Sequence, residues 1–317
     1  MRENNYPEMT TNGQAPNASV LRARIQAQLV GRERELELLL AAVAARRHVL
    51  LEGPPGTSKT TMLKAITAEW GIPLVLVEGN SELSPAKLIG HHNPSRVLKE
   101  DYSPDNFVPG PLITAMTDGG FLYIEEFNRA PEDTLNTLLM AIADREISVP
   151  RVGVIRAAPT FRVVASMNPF DNVGTLRVSR SLHDRLCRLA VGYQDAEAER
   201  GIVRLRTDAS LGDALGDRLI ADAVAVTRAT RIHEFVRQGS SVRGAIDLVL
   251  LARELAAMRA IDDPDDDGYA ALLLDAMLLA LSGRIQLDEV ADATPESVLR
   301  EIWENLLVLD GAQAKPG

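Results

Sequence analysis

The run Gly53-Pro54-Pro55-Gly56-Thr57-Ser58-Lys59-Thr60 constrains this chain of 317 residues more than any other feature. His48-Val49-Leu50-Leu51 before it reads as a short buried strand, and Leu63, Ile66 and Trp70 after it fall on one helix face. Strand, loop of small residues and helix, in that order, form the setting of a phosphate-binding loop. Small residues let main-chain N–H groups wrap closely around phosphates, and the positive end of the helix attracts them. Lys59 supplies a point charge for the β- and γ-phosphates, and Thr60 a hydroxyl for Mg²⁺. The expected nucleotide-binding stretch extends through Thr61. Ser58 stands where Gly usually precedes the Lys; being small, it is expected to fit in a helix-start conformation.

Two further segments belong to the same chemistry. Phe121-Leu122-Tyr123-Ile124 is an apolar strand ending in Glu125 and Glu126, at the rim where open α/β sheets bind ligands. In a Walker B strand the first acid holds Mg²⁺ through water and the second polarises the attacking water. Here those are Glu125, one methylene longer than the usual Asp, and Glu126. Asn168, in Ser166-Met167-Asn168-Pro169, follows another strand and can hold the lytic water with a neutral amide.

Apolar segments at 48–51, 73–77, 121–124, 161–165 and 188–191 alternate with helical patterns, which predicts a parallel five-stranded sheet covered on both faces. Leu36, Leu39, Leu40 and Val43 are spaced as an amphipathic helix, and a helix opened by Pro131 carries Leu135, Leu138, Leu139 and Ile142. After about Asp195 no strand is evident. Helical patterns cover roughly 217–237, 241–260, 268–283 and 295–307, the last with Thr294 as N-cap and Pro295 at N1. The expected organisation is a disordered tail (1–19), an α/β core (20–195) and a small all-helical domain (196–317).

Composition narrows the function. Lys plus Arg is 34 against 44 Asp plus Glu, a net charge of −10, which argues against a protein built to grip phosphate backbones. A single Cys forbids an internal disulfide and fits a reducing compartment. The longest mostly apolar stretch, 269–281, is interrupted by Asp275 and is shorter than the roughly 20 residues a membrane span needs. With a polar N-terminus lacking an apolar signal region, the expected location is cytoplasmic. The acidic run 262–267 reads as a solvated loop, and adjacent His91 and His92, without a third ligand, do not make a metal site.

These residues, in this order, resemble the AAA+ ATPases and, among them, the MoxR family; the likeness covers roughly Val30 to Leu287. Val30-Gly31-Arg32 resembles the segment that contacts adenine. Phe107-Val108-Pro109-Gly110-Pro111-Leu112 is similar to the family's F-x-PGP stretch, and Glu126-Phe127-Asn128-Arg129-Ala130-Pro131 to its E-I-N-R-A-P. Asn168-Pro169 corresponds to sensor 1. His183-Asp184-Arg185-Leu186 is similar to LDRF, and Gly239-Ser240-Ser241-Val242-Arg243-Gly244 to the GASPR sensor 2 motif.

The resemblance implies a ring homo-oligomer, usually a hexamer, with ATP and Mg²⁺ bound between neighbours. It implies Arg185 as arginine finger, with Arg129 the second choice, and Arg243 as sensor 2 in a helical lid. It also implies a helix-2 insert between Glu78 and Gly119, with Ser84-Pro85 capping a short helix, and a β-hairpin over 146–159. The implied function is ATP-driven remodelling or maturation of a protein client, with a von Willebrand factor A domain partner. The alternatives are a nucleic-acid-translocating motor, disfavoured by the acidic charge, and a nucleotide-gated scaffold with little turnover.

Overall fold

The computed structural model describes residues 25, 29–100, 103–169, 178–207 and 214–309. The N-terminal stretch 1–19, expected to be a tail, lies outside the described residues. Contacts divide the chain into two units at Gly192/Tyr193, with Pro55–Thr57 grouped with the second.

The first unit runs α1 (Glu33–Ala44), β1 (His48–Glu52), α2 (Lys59–Trp70), β2 (Leu74–Glu78), α3 (Pro85–Ile89), β3 (Gly90–His92), α4 (Pro94–Glu100), β4 (Phe107–Pro109) and α5 (Pro111–Asp118). It continues with β5 (Phe121–Glu125), α6 (Glu132–Ala143), β6 (Glu146–Val149), β7 (Gly153–Arg156), β8 (Arg162–Met167), α7 (Arg180–His183) and β9 (Leu186–Ala190). The five expected strands form one parallel sheet in the order β2-β5-β8-β1-β9. The central strands are apolar along their length because both faces are covered. Successive side chains point to opposite faces. Leu50, Leu122, Ile124, Val163 and Ala165 join one core layer, with Leu112 of α5 and Leu138 of α6. Val49, Leu51, Tyr123 and Val164 join the other, with Leu36 and Leu39 of α1 and Leu63 and Ile66 of α2.

The long β2–β5 connection contains α3, opened by Ser84, whose Oγ accepts the Lys87 N–H at 3.3 Å. It also holds an antiparallel pair, β3 with β4, that includes His91 and His92. β6 and β7 form the expected hairpin.

The second unit contains α8 (Ala196–Arg206), α9 (Ala214–Ala229), β10 (Val236–Gln238), α10 (Val242–Arg259), α11 (Tyr269–Leu281), β11 (Gln286–Leu287) and α12 (Pro295–Trp303). Its core is drawn from these helices, with Leu219, Leu248, Leu273 and Leu299 fully buried. It is not wholly helical: β10 pairs antiparallel with β11. Pairings of two or three residues are too short to show an alternating pattern, so this one was not legible in the sequence. α12 starts in a capping box: Thr294 Oγ1 accepts the Ser297 N–H at 3.2 Å and Ser297 Oγ accepts the Thr294 N–H at 3.0 Å. In the acidic run, Asp263 and Asp266 accept the N–H groups of Asp265 and Gly268, so these carboxylates serve as turn caps.

At the N-terminal pole of the sheet His48 is buried, and its Nδ1 accepts the Val163 N–H at 2.9 Å. Burial, reinforced by Arg162, Arg145 and Arg47, lowers its pKa to about 4. A base whose folded pKa is depressed binds fewer protons folded than unfolded. Its contribution is therefore complete above pH about 6.5 and is lost as pH falls toward 4. Over that window the loss should reach about 3 kcal/mol. Urea unfolding at pH 7 and pH 4.5 tests this: a His48→Asn variant should lose less stability between the two pH values than the wild type. Equal losses in both would remove His48 as the cause.

Candidate functional site

The loop after β1 is held at the C-terminal edge of the sheet by close backbone packing. The Gly53 N–H donates to Met167 O at 3.1 Å. A Cβ at Gly53 would lie 2.0 Å from Val191 O, so no other residue fits without moving the sheet. Lys59, the first residue of α2, folds across the loop; its Nζ donates to the carbonyls of Gly53 (2.9 Å) and Pro54 (2.7 Å). Ser58 does not take the expected helix-start conformation. It is left-handed, φ 65° and ψ 17°. The left-handed turn feeds the chain into α2 and is the conformation that Gly accepts without strain; Ser bears roughly 1 kcal/mol there. Ser58→Gly should therefore raise unfolding stability by at most about 0.5 kcal/mol, after discounting the freer unfolded chain. Calorimetric or denaturant unfolding would read this directly, and a loss of stability would show that the Ser hydroxyl outweighs the backbone cost.

The Thr60 hydroxyl donates a short hydrogen bond to Glu125 and lies 3.2 Å from the Tyr123 hydroxyl. Tyr123 in turn donates to Ser166 Oγ at 3.0 Å. Burial pushes the Tyr123 phenol up, so it stays a neutral hydrogen-bonding group. Glu126 follows β5 in a left-handed conformation, φ 50° and ψ 42°. Such strain in a non-glycine residue concentrates at functional positions. Its carboxylate is paired with Arg129 at 3.0 Å, both side chains being about half exposed. Gly79, at the end of β2, makes this corner possible, because a Cβ there would lie 2.4 Å from Glu126 O. Asn168 leaves β8 between β1 and β5, its carbonyl accepting from Asn128 Nδ2 at 3.4 Å. The sheet thus brings Lys59, Thr60, Glu125, Glu126 and Asn168 to one edge.

Val30 and Gly31, the latter at φ 64°, precede α1. The adjacent Arg32 is buried and donates to Gly192 O at 2.7 Å and to Glu35 at 2.9 Å. Arg185 lies elsewhere. It precedes β9, is exposed, and donates to Ser181 O and Oγ at 3.0 and 3.1 Å. The strands are parallel, so Arg185 sits at the N-terminal pole. Its Cα is roughly 20 Å along β9 from Val191, which touches Gly53.

In the second unit Arg243 is exposed on the first turn of α10. The turn before it is braced by Arg231, whose Nε donates to Ser240 O at 2.7 Å and whose Nη1 donates to the buried Glu199 at 2.7 Å. The Arg231 guanidinium lies 3.9 Å over the Tyr193 ring, and Arg228 bridges Glu199 to Gln194 O.

Thr60 and Glu125 are hard oxygen donors already in contact, and that set fits Mg²⁺, which binds one or two protein oxygens together with phosphates and water. Among the described residues no group of three or more His, Cys, Asp or Glu converges as a metal site, nor is any helix long and apolar enough to cross a membrane.

Sequence reasoning passed over Tyr123, Ser166, Gly79 and Glu199. The one readable signal was a lone polar hydroxyl inside the apolar strand Phe121–Ile124.

Residues 48–186 match the AAA domain (dynein-related subfamily). The chaperone MoxR1 of Mycobacterium tuberculosis is 26% identical over 308 residues, covering 88% of this chain and 78% of MoxR1. The gas vesicle ATPase GvpN of Ancylobacter aquaticus is 27% identical over 288 residues, covering 84% and 77%. In fold, the Thermotoga maritima RuvB Holliday junction branch migration motor superposes with a TM-score of 0.52 at 19% identity, covering 82% of this chain and 72% of RuvB. The sheet order, the loop after β1 and these likenesses define an AAA+ P-loop NTPase. Within that class the chain resembles the MoxR-like ATPases, by its similarity to MoxR1 and GvpN.

Proposed function

We propose that this ATPase hydrolyses Mg·ATP at the edge formed by Lys59, Thr60, Glu125, Glu126 and Asn168, and uses the cycle to remodel a protein client. The observation that carries the reading is the placement of Glu126, a strained carboxylate next to Glu125, which itself contacts Thr60. Lys59 neutralises charge on the β- and γ-phosphates. Glu126 accepts the proton of the attacking water, and Asn168 orients that water. When bound, Mg²⁺ at Thr60 and Glu125 supplies charge neutralisation between the phosphates. Val30 and Gly31 border the adenine, and Arg243 reads nucleotide state from a helical lid.

Arg185 acts in trans. Roughly 20 Å of strand separates it from its own loop, more than an arginine side chain spans, so it serves a neighbouring subunit's γ-phosphate. Arg129 is engaged by Glu126 of its own chain. This favours a ring, which the family resemblance makes a hexamer, with the α3–α4 insert and the β6–β7 hairpin handling the client. The chaperone name of the MoxR1 relative supports a protein client. A von Willebrand factor A domain protein as partner, and a cytoplasmic location, complete the proposal. The net charge of −10 weighs against a nucleic-acid track.

The test is capture. Glu126→Gln with ATP and magnesium should assemble and retain a client or a von Willebrand factor A partner that the same variant releases with ADP. Assembly without any retained protein would sink the client reading and leave the ATPase.

A further inference from the structure

The mechanism leaves one fully buried polar group of the site unused: the hydroxyl of Tyr123. Its ring fills the core layer between the sheet and helices α1 and α2, among Leu36, Leu63, Ile66 and Val164. A phenylalanine would fill that volume equally well. What the tyrosine adds is an oxygen at the polar seam, 3.2 Å from Thr60 Oγ1 and 3.0 Å from Ser166 Oγ. A buried hydroxyl is costly unless partnered, and these two contacts supply the partners.

The arrangement restricts Thr60. Its hydroxyl has one proton and two lone pairs. The proton is directed at Glu125. One side of the oxygen meets the Tyr123 hydroxyl at 3.2 Å, and since the Thr60 proton is directed at Glu125, the proton in this contact is the phenol's, shared between Thr60 and Ser166. A lone pair is then left for a metal in one direction only, instead of sweeping with the rotor. Ser166, at the far end of the chain of hydroxyls, lies on β8 two residues before Asn168, so its strand leads directly into the group proposed to hold the lytic water. Thr60, Tyr123 and Ser166 come from three different elements: Tyr123 meets Ser166 because β5 lies beside β8, and Thr60 because α2 covers the same sheet face.

We infer that Tyr123 is a positioning residue for magnesium: its phenol aims the Thr60 hydroxyl at the metal and ties that hydroxyl, through Ser166, to the strand that leads into Asn168. The inference rests on the reading of Thr60 as a magnesium ligand, and the experiment separates the two. A fluorescent ADP analogue is titrated against wild type and Tyr123→Phe, in EDTA and across a magnesium series. Tyr123→Phe should bind the analogue as the wild type does in EDTA. The magnesium concentration giving half of the metal-dependent tightening should rise by roughly fivefold, the worth of one neutral hydrogen bond.

If the wild type tightens with magnesium and Tyr123→Phe tightens at the same concentration, the inference is overturned and the Thr60 assignment survives. If the wild type shows no dependence on magnesium, both fail together. If the variant loses affinity equally with and without the metal, the phenol is a packing group and the inference is wrong. Ser166→Ala leaves the ring in place and guards against a folding defect in the first variant. It should shift the magnesium midpoint in the same direction by a smaller factor, and no shift would cut Ser166 out of the chain.

Discussion

Glu126→Gln is expected to lower ATP turnover by roughly 10²–10⁴-fold while nucleotide binding stays within a few-fold of wild type. The amide keeps the size and the left-handed corner of the glutamate, which is fixed by the backbone at Gly79 rather than by the side chain. What it removes is the ability to take a proton from water. In the proposed reading phosphates would meet the loop, Lys59 and Thr60, none of which the substitution touches. The Glu126–Arg129 pair is also lost, but both partners are about half exposed, and such pairs contribute little to stability. The melting temperature should therefore barely move, so a fall in turnover cannot be ascribed to unfolding. Steady-state phosphate release and a nucleotide titration on the same preparations measure both halves of the claim. A wild type as slow as the variant would mean that Ser58 and Glu125 leave the site able to bind but not to turn over, and the chain would then be a nucleotide-gated scaffold.

The parts of this molecule legible in the sequence are those written in contiguous residues with a strong period. The central strands of the sheet read as largely apolar runs because they are covered on both faces, while the edge strands β2 and β9 are only partly buried, and the loop between β1 and α2 is spelled by its small residues. The parts that were not legible depend on residues meeting across the fold. Gly79 looks like an ordinary loop glycine until the Glu126 carbonyl is seen 2.4 Å from where its Cβ would be. Tyr123 looks like strand filling until its hydroxyl is found between Thr60 and Ser166. Glu199 reads as a surface charge on a helix, yet it is buried between Arg228 and Arg231. Ser58 was the reverse case. Its smallness was visible, but the sign of its φ follows from how the loop turns into α2, which residue identity alone does not dictate.

Arg185→Ala should reduce turnover by about 10³-fold or more, the range in which arginine fingers act, without weakening nucleotide binding in the same chain. The two effects separate because parallel strands carry direction. Each strand delivers its C-terminal end to the phosphate edge, so a residue preceding β9 is carried to the opposite pole. An arginine there contributes to hydrolysis only if another copy presents its own phosphate edge to it. This geometry makes a mixing experiment decisive. Lys59→Ala subunits should be inactive because they lose the charge that holds phosphate, yet they keep Arg185. Arg185→Ala subunits keep the loop and lack the finger. Combined, the two inactive variants should recover a measurable part of wild-type turnover, because an Arg185→Ala site next to a Lys59→Ala neighbour has every group it needs. No recovery in mixtures that demonstrably co-assemble would move the finger elsewhere, with Arg129→Ala the next variant to mix. Undiminished turnover by Arg185→Ala alone would remove this arginine from the reaction altogether.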